Sequence, residues 1–201
     1  MNKKLYIIRH GQTLFNLLDK VQGASDSPLT ELGIKQAEAA KDYIKSQGIT
    51  YGHAYSSTQE RAVDTLNIIK DPEVSSEQLK EIKEMDFGLF EGEAAHLQPK
   101  GPESFEYFYK EFGGETAEEV RERMYNKLFE IMSKPDHNNV LAVSHNGAIY
   151  FFLQKIWKNE HKEIPLRLAN GGILILNFDG EEFTVEDTIN PIEELEKGNR
   201  K

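Results

Sequence analysis

A short apolar run near the start of the chain ends in an unusual set of polar residues. Residues 5–8 are Leu-Tyr-Ile-Ile, which is long enough for a buried strand and rich in residues that strands favour. The run ends in Arg9, His10 and Gly11, where the glycine lets the backbone turn tightly or a ligand come close. A buried strand that ends this way is a common source of anion sites in open α/β sheets. Taken alone, the run fits a polar loop after a strand equally well.

The same plan recurs twice further along the chain. Residues 139–147 read as a strand that ends in His145, followed by an apolar helix. Residues 53–61 read as a short strand and the first turn of a helix that carries Arg61. Parallel strands place their C-terminal ends along one edge of a sheet, so these side chains can converge with Arg9 and His10 there. Two arginines and two histidines at one edge indicate a site for a phosphoryl group.

Four short motifs follow one another in the chain and carry a family resemblance. They are Arg9-His10-Gly11-Gln12-Thr13-x-x-Asn16, Ser56-Ser57-x-x-x-Arg61-Ala62-x-x-Thr65, Glu84-x-x-x-Gly88-x-x-Glu91-Gly92 and Ser144-His145-Asn146-Gly147. In this order and spacing they resemble the histidine phosphatase superfamily, also called phosphoglycerate mutase-like. The match runs from about residue 4 to about residue 178, and it is specific because all four motifs are present together.

The resemblance implies catalytic roles. His10 would be the nucleophile that becomes phosphorylated, and His145 would donate to the transferring group. Glu84 would protonate the leaving alcohol and then help water to attack, with Glu81 and Glu91 as competing carboxylates. Arg9 and Arg61 would be catalytic cations around the phosphoryl oxygens. Four further residues would bind the substrate: Asn16, Thr13, Gln22 and Gly23.

The chemistry of these residue types fits those roles. Arginine is a permanent cation with a forked set of donors, which suits phosphoryl oxygens. A neighbouring positive charge disfavours the protonated form of an imidazole, so His10 can be neutral and attack. We expect no metal and no cofactor, because the arginines and His145 take the place of a metal ion. The other histidines, His53, His96, His137 and His161, are interpreted as structural or solvent-facing.

The bulk composition limits the possible partners and compartments. The 201 residues fit one domain, 1–201, and a net charge of −10 disfavours nucleic acid as a partner. Cysteine is absent, which removes disulfides, a thiol nucleophile and thiolate metal ligands. Only four apolar residues follow the basic start, too few for a signal peptide or membrane span, so a cytoplasmic protein that does not contact membranes is expected. A homodimer is left open.

The fold expected from the pattern is a three-layer α/β sandwich, with a mainly parallel central sheet and helices on both faces. A helix from Thr30 to Gly48 should bury Leu32, Ala37, Ala40 and Ile44, and capping-box spacing between Ser57 and Glu60 predicts a helix that starts at Ser57. Residues 71–78 read as a loop, 79–85 as an extended piece, and the charged tail from about 191 as frayed. Thr116 and Glu119 form a second capping box.

Residues 86–116 read as a cap over the crevice, rich in aromatic residues, with two lysines against seven acidic residues for a net charge of −5. A short helical pair packed on the sheet edge is the alternative. The superfamily's mutases typically carry a basic cap and the continuation His-Gly-Asn-Ser-Leu-Arg, where this chain has Asn146 for the usual glycine and Tyr150 for the arginine. A phosphomonoester hydrolase acting on a small phosphorylated metabolite is therefore favoured, with a cofactor-dependent phosphoglycerate mutase as the alternative.

Two further classes are weaker. A metal-dependent hydrolase could use two histidines and acids. A binding module that has lost catalysis would usually lack a histidine or an arginine of the motifs, and this chain retains Arg9, His10, Arg61 and His145.

Overall fold

The computed structural model describes residues 3–157, 164 and 168–198; His161 lies outside them. Within these residues the strands are β1 (Lys3–Arg9), β2 (His53–Ser57), β3 (Ser76–Leu79), β4 (Asn139–Ser144), β5 (Ile173–Phe178) and β6 (Phe183–Ile189). The α-helices are α1 (Leu14–Leu17), α2 (Glu31–Ser46), α3 (Glu60–Ile69), α4 (Ala117–Ser133), α5 (Asn146–Ile156) and α6 (Pro191–Gly198). Short 3₁₀ turns interrupt residues 80–112.

The strands form one mixed sheet in the order β3-β2-β4-β1-β5-β6. The first four run parallel to one another, while β5 is antiparallel to both β1 and β6. The prediction of a mainly parallel α/β sheet is confirmed. Since β1 and β4 are neighbours with Arg9 opposite Ser144, the residues that follow both strands emerge side by side.

Successive residues of β1 face opposite sides of the sheet, which gives the domain two apolar cores. Leu5 and Ile7 pack in a cluster with side chains of α4 and α5. Tyr6 and Ile8 pack in a second cluster with side chains of α2 and α3. Helices therefore cover both faces, as the three-layer architecture requires.

Helix caps explain two of the helix starts. Thr116 and Glu119 form the predicted capping box at α4, whose buried stripe contains Val120, Met124, Leu128 and Ile131. Thr30 accepts from the N–H of Gly33 at 3.0 Å and begins α2. In α2 the predicted burial of Leu32 is wrong, because its side chain is 45% exposed. Gly33 is buried instead, where a Cβ on it would collide with the carbonyl of Gln12 and a Cβ on Gly11 would collide with the carbonyl of Gly33.

Several predicted boundaries are wrong for identifiable reasons. The helix expected to start at Ser57 begins at Glu60 and has no side-chain cap, because Ser57 still pairs in β2 and its hydroxyl is held by His145. Residues 76–78, predicted as loop, belong to edge strand β3, whose exposed polar residues give no alternation. The predicted extended piece contains a 3₁₀ turn at Lys80–Ile82. Residues 191–198, predicted to fray, form α6 beside α2.

The cap segment, residues 86–116, contains 3₁₀ turns around a cluster of aromatic rings. Tyr109 is buried at the centre, with the rings of Phe87, Phe90, Phe105 and Phe108 each within 5.6 Å of its own. The negative charge of the cap segment is partly neutralised by two arginines of α4, since Glu106 pairs with Arg121 and Glu115 with Arg123. None of the helices in the described part of the chain has the length and apolar character of a membrane span.

Candidate active site

The structure brings His10 and His145 together where β1 and β4 end. Their ring centroids are 5.0 Å apart, with the rings tilted by 54°. Both histidines and both arginines, Arg9 and Arg61, are buried. This is the edge at which the sequence pattern predicted the four side chains to converge.

His10 is held as a neutral imidazole. Its Nδ1 lies 2.8 Å from the carbonyl oxygen of Gly11, and a carbonyl can only accept, so the proton is on Nδ1. Burial, followed by the charges of Arg61 and Arg9, holds the pKa of His10 well below its usual range. The lone pair of Nε2 is therefore available as a nucleophile at neutral pH.

Arg61 is fixed by hydrogen bonds along its whole guanidinium group. Nη1 donates to the carbonyl of Ser25 at 2.8 Å and to Asp26 Oδ1 at 2.9 Å. Nη2 donates to the carbonyl of Gly23 at 2.9 Å, and Nε donates to His145 Nδ1 at 3.2 Å. The first turn of α3 thus places a fully buried cation beside both imidazoles, anchored to the loop that follows α1.

His145 follows β4 and precedes the first residue of α5. Because Arg61 only donates, Nδ1 of His145 must accept, and the ring proton is on Nε2, which donates to Ser57 Oγ at 2.7 Å. Burial and the charge of Arg61 hold the pKa of His145 well below its usual range. His145 is consequently a neutral donor in this site.

Arg9 and Asn146 are linked through one backbone segment. Nη1 of Arg9 donates to the carbonyl of Leu168 at 2.6 Å, and the N–H of Leu168 donates to Asn146 Oδ1 at 3.0 Å. Asn146, which replaces the usual glycine of the resembling motif, is the first residue of α5. Its side chain therefore has a definite task here, which is to hold the segment that orients Arg9.

Glu84 lies against the start of α5. Its carboxylate accepts from the N–H groups of Gly147 at 2.9 Å and Ala148 at 2.7 Å. A Cβ on Gly147 would lie 2.6 Å from Glu84 Oε1, so only glycine permits this approach. The backbone N–H of Glu84 donates to Gln59 Oε1 at 3.0 Å, which ties the loop that carries Glu84 to the start of α3.

The four residues implied in substrate binding surround the same crevice. Thr13 and Asn16 form a capping box at α1, and Asn16 Oδ1 also accepts from Asn170 Nδ2 at 3.3 Å. With its amide oriented to satisfy both neighbours, Gln22 donates to Thr13 Oγ1 at 2.6 Å and accepts from Arg61 Nη1 at 3.2 Å. The carbonyl of Gly23 accepts from Arg61 and from Gln59.

Of the two carboxylates that compete with Glu84, Glu91 has a structural task. Its carboxylate accepts from the backbone N–H groups of Gly23, Ala24 and Ser25 at 2.7–3.0 Å. It thereby shapes the loop that holds Arg61, and its lone pairs are already used.

Three polar residues at the site were not singled out from the sequence. Ser57 binds His145, and Gln59 bridges Gly23 and Glu84. Asn170 donates to the carbonyl of His10 at 3.0 Å. Ser57 is within a recognised motif, and Gln59 lies between two motif positions, whereas Asn170 carries no sequence signal.

An apolar cleft of about 320 Å³ adjoins Glu84 through Gly147. Its lining comprises Phe87, Gly101, Phe105, Asn146, Gly147, Tyr150 and Phe151. No lysine or arginine is among these lining residues in the part of the chain that the structure describes. The cleft can therefore accept an uncharged or aromatic group next to the carboxylate.

Paired neutral imidazoles, two buried arginines and a carboxylate where the parallel strands end can bind a phosphoryl group and present a nitrogen nucleophile to it. The chain belongs to the histidine phosphatase superfamily (branch 1), whose family model matches residues 5–191. This is a superfamily of enzymes that includes phosphatases and mutases.

Individual relatives carry both kinds of name. The probable phosphoglycerate mutase GpmB of Yersinia pestis (strain Pestoides F) is 32% identical over 179 residues, covering 83% of this chain and 81% of that protein. A phosphoglycerate mutase from Bacillus anthracis str. Sterne superposes with a TM-score of 0.84 at 25% identity, covering 98% and 97% of the two chains. A phosphoserine phosphatase from Entamoeba histolytica, in complex with phosphoserine, superposes with a TM-score of 0.75 at 25% identity, covering 94% and 97%.

Proposed function

We propose that this chain is a metal-independent phosphomonoester hydrolase that acts through a phosphohistidine on His10. The observation that carries the choice of hydrolase over mutase is the cleft beside Glu84. Tyr150 occupies the position at which the resembling mutase motif has arginine, and it lines that cleft with Phe87 and Phe105. A substrate with a second anionic group would find no cation among these lining residues, whereas a neutral or aromatic leaving group would be buried favourably.

The reaction divides into two displacements. Nε2 of His10 attacks phosphorus and the bond to the ester oxygen breaks, while Glu84 gives its proton to that oxygen. A water molecule then attacks the phosphohistidine, its proton goes to Glu84, and phosphate leaves with His10 neutral again. Each proton transfer contributes typically about 10²–10⁴-fold.

The cations act on the charge that develops at phosphorus. Arg9 and Arg61 are buried, so their attraction for phosphoryl oxygens is weakly screened by solvent. Nε2–H of His145 is the third donor, and Ser57 holds it ready until the phosphoryl group arrives. The two arginines supply the positive charge that a metal ion supplies in other phosphoryl-transfer sites, and His145 adds a neutral hydrogen-bond donor.

The test compares the two activities on one preparation. Phosphate release is measured over a panel of phosphomonoesters, with and without excess chelator, and interconversion of 2- and 3-phosphoglycerate is measured with 2,3-bisphosphoglycerate as primer. We expect fast, chelator-resistant release from esters with neutral or aromatic leaving groups, and none of it in the His10→Ala variant. Chelator-sensitive release would overturn metal independence.

The relatives named as probable phosphoglycerate mutases make mutase activity the second candidate. Brisk primed interconversion by the unmodified protein, faster than phosphate release from any ester of the panel, would replace the hydrolase proposal by the mutase.

A further inference from the structure

Two histidines and a carboxylate meet at the edge of the sheet opposite the candidate active site. His53 begins β2, and Asp136 with His137 lies in the turn between α4 and β4. Nε2 of His53 is 3.1 Å from Asp136 Oδ2, and Nδ1 of His137 is 2.8 Å from Asp136 Oδ1. The two rings are stacked, with centroids 3.6 Å apart and planes within 12° of parallel.

We propose that His53, Asp136 and His137 bind a Zn²⁺ ion. One ligand atom of each residue lies within 4.8 Å of the other two. Zinc takes imidazole nitrogen at about 2.0–2.1 Å and carboxylate oxygen at about 2.0–2.2 Å, and it is bound along lone pairs that lie in each ring plane. Because the two rings are stacked, the partly exposed ring of His53 must tilt out of the stack so that both lone pairs point at one ion. Imidazole and carboxylate are also ligands that zinc accepts together in three-residue sites.

Tyr55 supplies the outer contact that a ligating histidine usually has. Its hydroxyl lies 2.7 Å from Nε2 of His137. Without an ion, Nδ1–H of His137 donates to Asp136 Oδ1 and Nε2 accepts from that hydroxyl. When zinc displaces the proton from Nδ1, Nε2–H can donate to the hydroxyl instead, and the lone pair of Nδ1 is free for the ion. The ring of His137 is buried and held by Tyr55, so it stays in place while the ring of His53 moves toward the ion.

The site has an entrance and room for water. The side chain of Asp136 is 66% exposed, and a cleft of about 280 Å³ is lined by His53, Tyr55 and the residues from 75 to 77. Three protein ligands would leave a fourth position to a water molecule. Because the ion would tie the turn before β4 to the start of β2, it would stabilise the fold at the edge away from the reacting residues.

Zinc binding is tested on the full chain, purified without a histidine tag and stripped with chelator. Loaded protein is dialysed and its zinc counted, and Co²⁺ is titrated to follow its visible absorption. We expect one Zn²⁺ per chain, and at least a tenfold loss of affinity in His53→Ala and in Asp136→Asn. Tyr55→Phe should weaken binding by about 10–100-fold, the usual range for an outer-shell partner.

Two variants control for other histidines. His96→Ala removes an exposed histidine, and His10→Ala removes one from the catalytic edge; both should retain one zinc. Zinc should raise the Tm of the unmodified protein and of His96→Ala, with no rise in His53→Ala. Three results would overturn the zinc site and leave only a hydrogen-bonded cluster. They are no zinc bound by the unmodified protein, a zinc affinity of His53→Ala and Asp136→Asn equal to that of the unmodified protein, and loss of zinc from His10→Ala. Phosphate release by zinc-free protein is measured separately, so the two proposals can fail independently.

Discussion

Nε of Arg61 donates to Nδ1 of His145 across 3.2 Å, between two side chains that are both buried. This contact fixes the ring proton of His145 on Nε2, and burial together with the adjacent charge keeps the pKa low and the ring neutral. The same guanidinium group is tied to three residues of the loop after α1, Gly23, Ser25 and Asp26. Arg61 therefore links the conformation of the loop after α1 to the protonation state of His145.

Replacing Arg61 by lysine keeps the positive charge but removes the guanidinium group, which donates in several directions at once. A lysine ammonium cannot contact His145, Gly23 and Asp26 at once, so we expect kcat/KM to fall by at least about a hundredfold. Leaving buried partners unpaired should lower the free energy of unfolding by roughly 3 kcal/mol. Arg121→Lys is the control, because it breaks a forked ion pair with Glu106 instead; it should lower the free energy of unfolding but leave kcat/KM unchanged. Nearly full activity in Arg61→Lys would show that charge alone suffices.

The lowered pKa of His10 predicts a loss of stability in acid. In the unfolded chain an imidazole takes up a proton near pH 6.5, whereas folded His10 stays neutral to well below that. Between those two pKa values the unfolded state binds more protons, so the free energy of unfolding falls as pH drops below about 6.5. The contribution is about 1.4 kcal/mol for each pH unit.

Urea unfolding at pH 7.5 and 5.5 measures this fall. The unmodified protein should lose more stability between the two pH values than His10→Gln, which has no imidazole to titrate. An equal fall in both proteins would contradict a neutral, buried His10.

Glu84→Gln separates the acid role from the structural one, because the amide oxygen can still accept from Gly147 or Ala148. We expect an alkyl phosphate, whose leaving group needs a proton, to lose about 10²–10⁴-fold in kcat. With p-nitrophenyl phosphate, whose leaving group needs no proton, kcat should fall by less than about tenfold. Glu81→Gln, at the competing position, should leave both substrates unaffected. Equal losses on both substrates in Glu84→Gln would assign Glu84 a structural role only.

Tyr150→Arg tests the reason for preferring a hydrolase. A cation about 6 Å from a second anion contributes about 2.8 kcal/mol at an effective dielectric of 20, an upper limit for a partly exposed position. Discounted for solvent, we expect roughly a tenfold rise in kcat/KM for 3-phosphoglycerate and a fall for p-nitrophenyl phosphate.

Tyr107→Arg adds the same charge to the cap at a side chain that is 73% exposed and does not line the cleft. This control should leave the ratio of kcat/KM for 3-phosphoglycerate to kcat/KM for p-nitrophenyl phosphate unchanged. If both variants shift the ratio alike, net charge rather than the cleft governs selectivity.

The convergence of His10, Arg61 and His145 could be predicted because parallel strands end at a common edge. The hydrogen bonds that other residues make to these side chains could not be predicted from the sequence. Asn170 contacts His10 from 160 residues away, and a single asparagine in a turn gives no periodic signal. Ser57 has the spacing of a helix cap, yet pairing with β3 holds it in the strand, so tertiary contacts override a local motif.

The charge of the cap segment also could not be predicted fully from the sequence. Its composition predicts a strongly negative surface, but Arg121 and Arg123 of α4 neutralise Glu106 and Glu115 from outside the segment. Composition counts charges along the chain, whereas the field at a site depends on which partners fold against them. The aromatic residues were recognised, but their closure around Tyr109 is a property of packing.

The central claim is that His10 carries the phosphoryl group during turnover. The direct measurement is rapid mixing with a ³²P-labelled monoester, a quench at alkaline pH, and mapping of the labelled peptide by mass spectrometry. We expect one phosphate on His10, lost on acidification, and neither label nor turnover in His10→Ala. Label on any other residue, or His10→Ala protein that still turns over at the unmodified rate, would contradict the account.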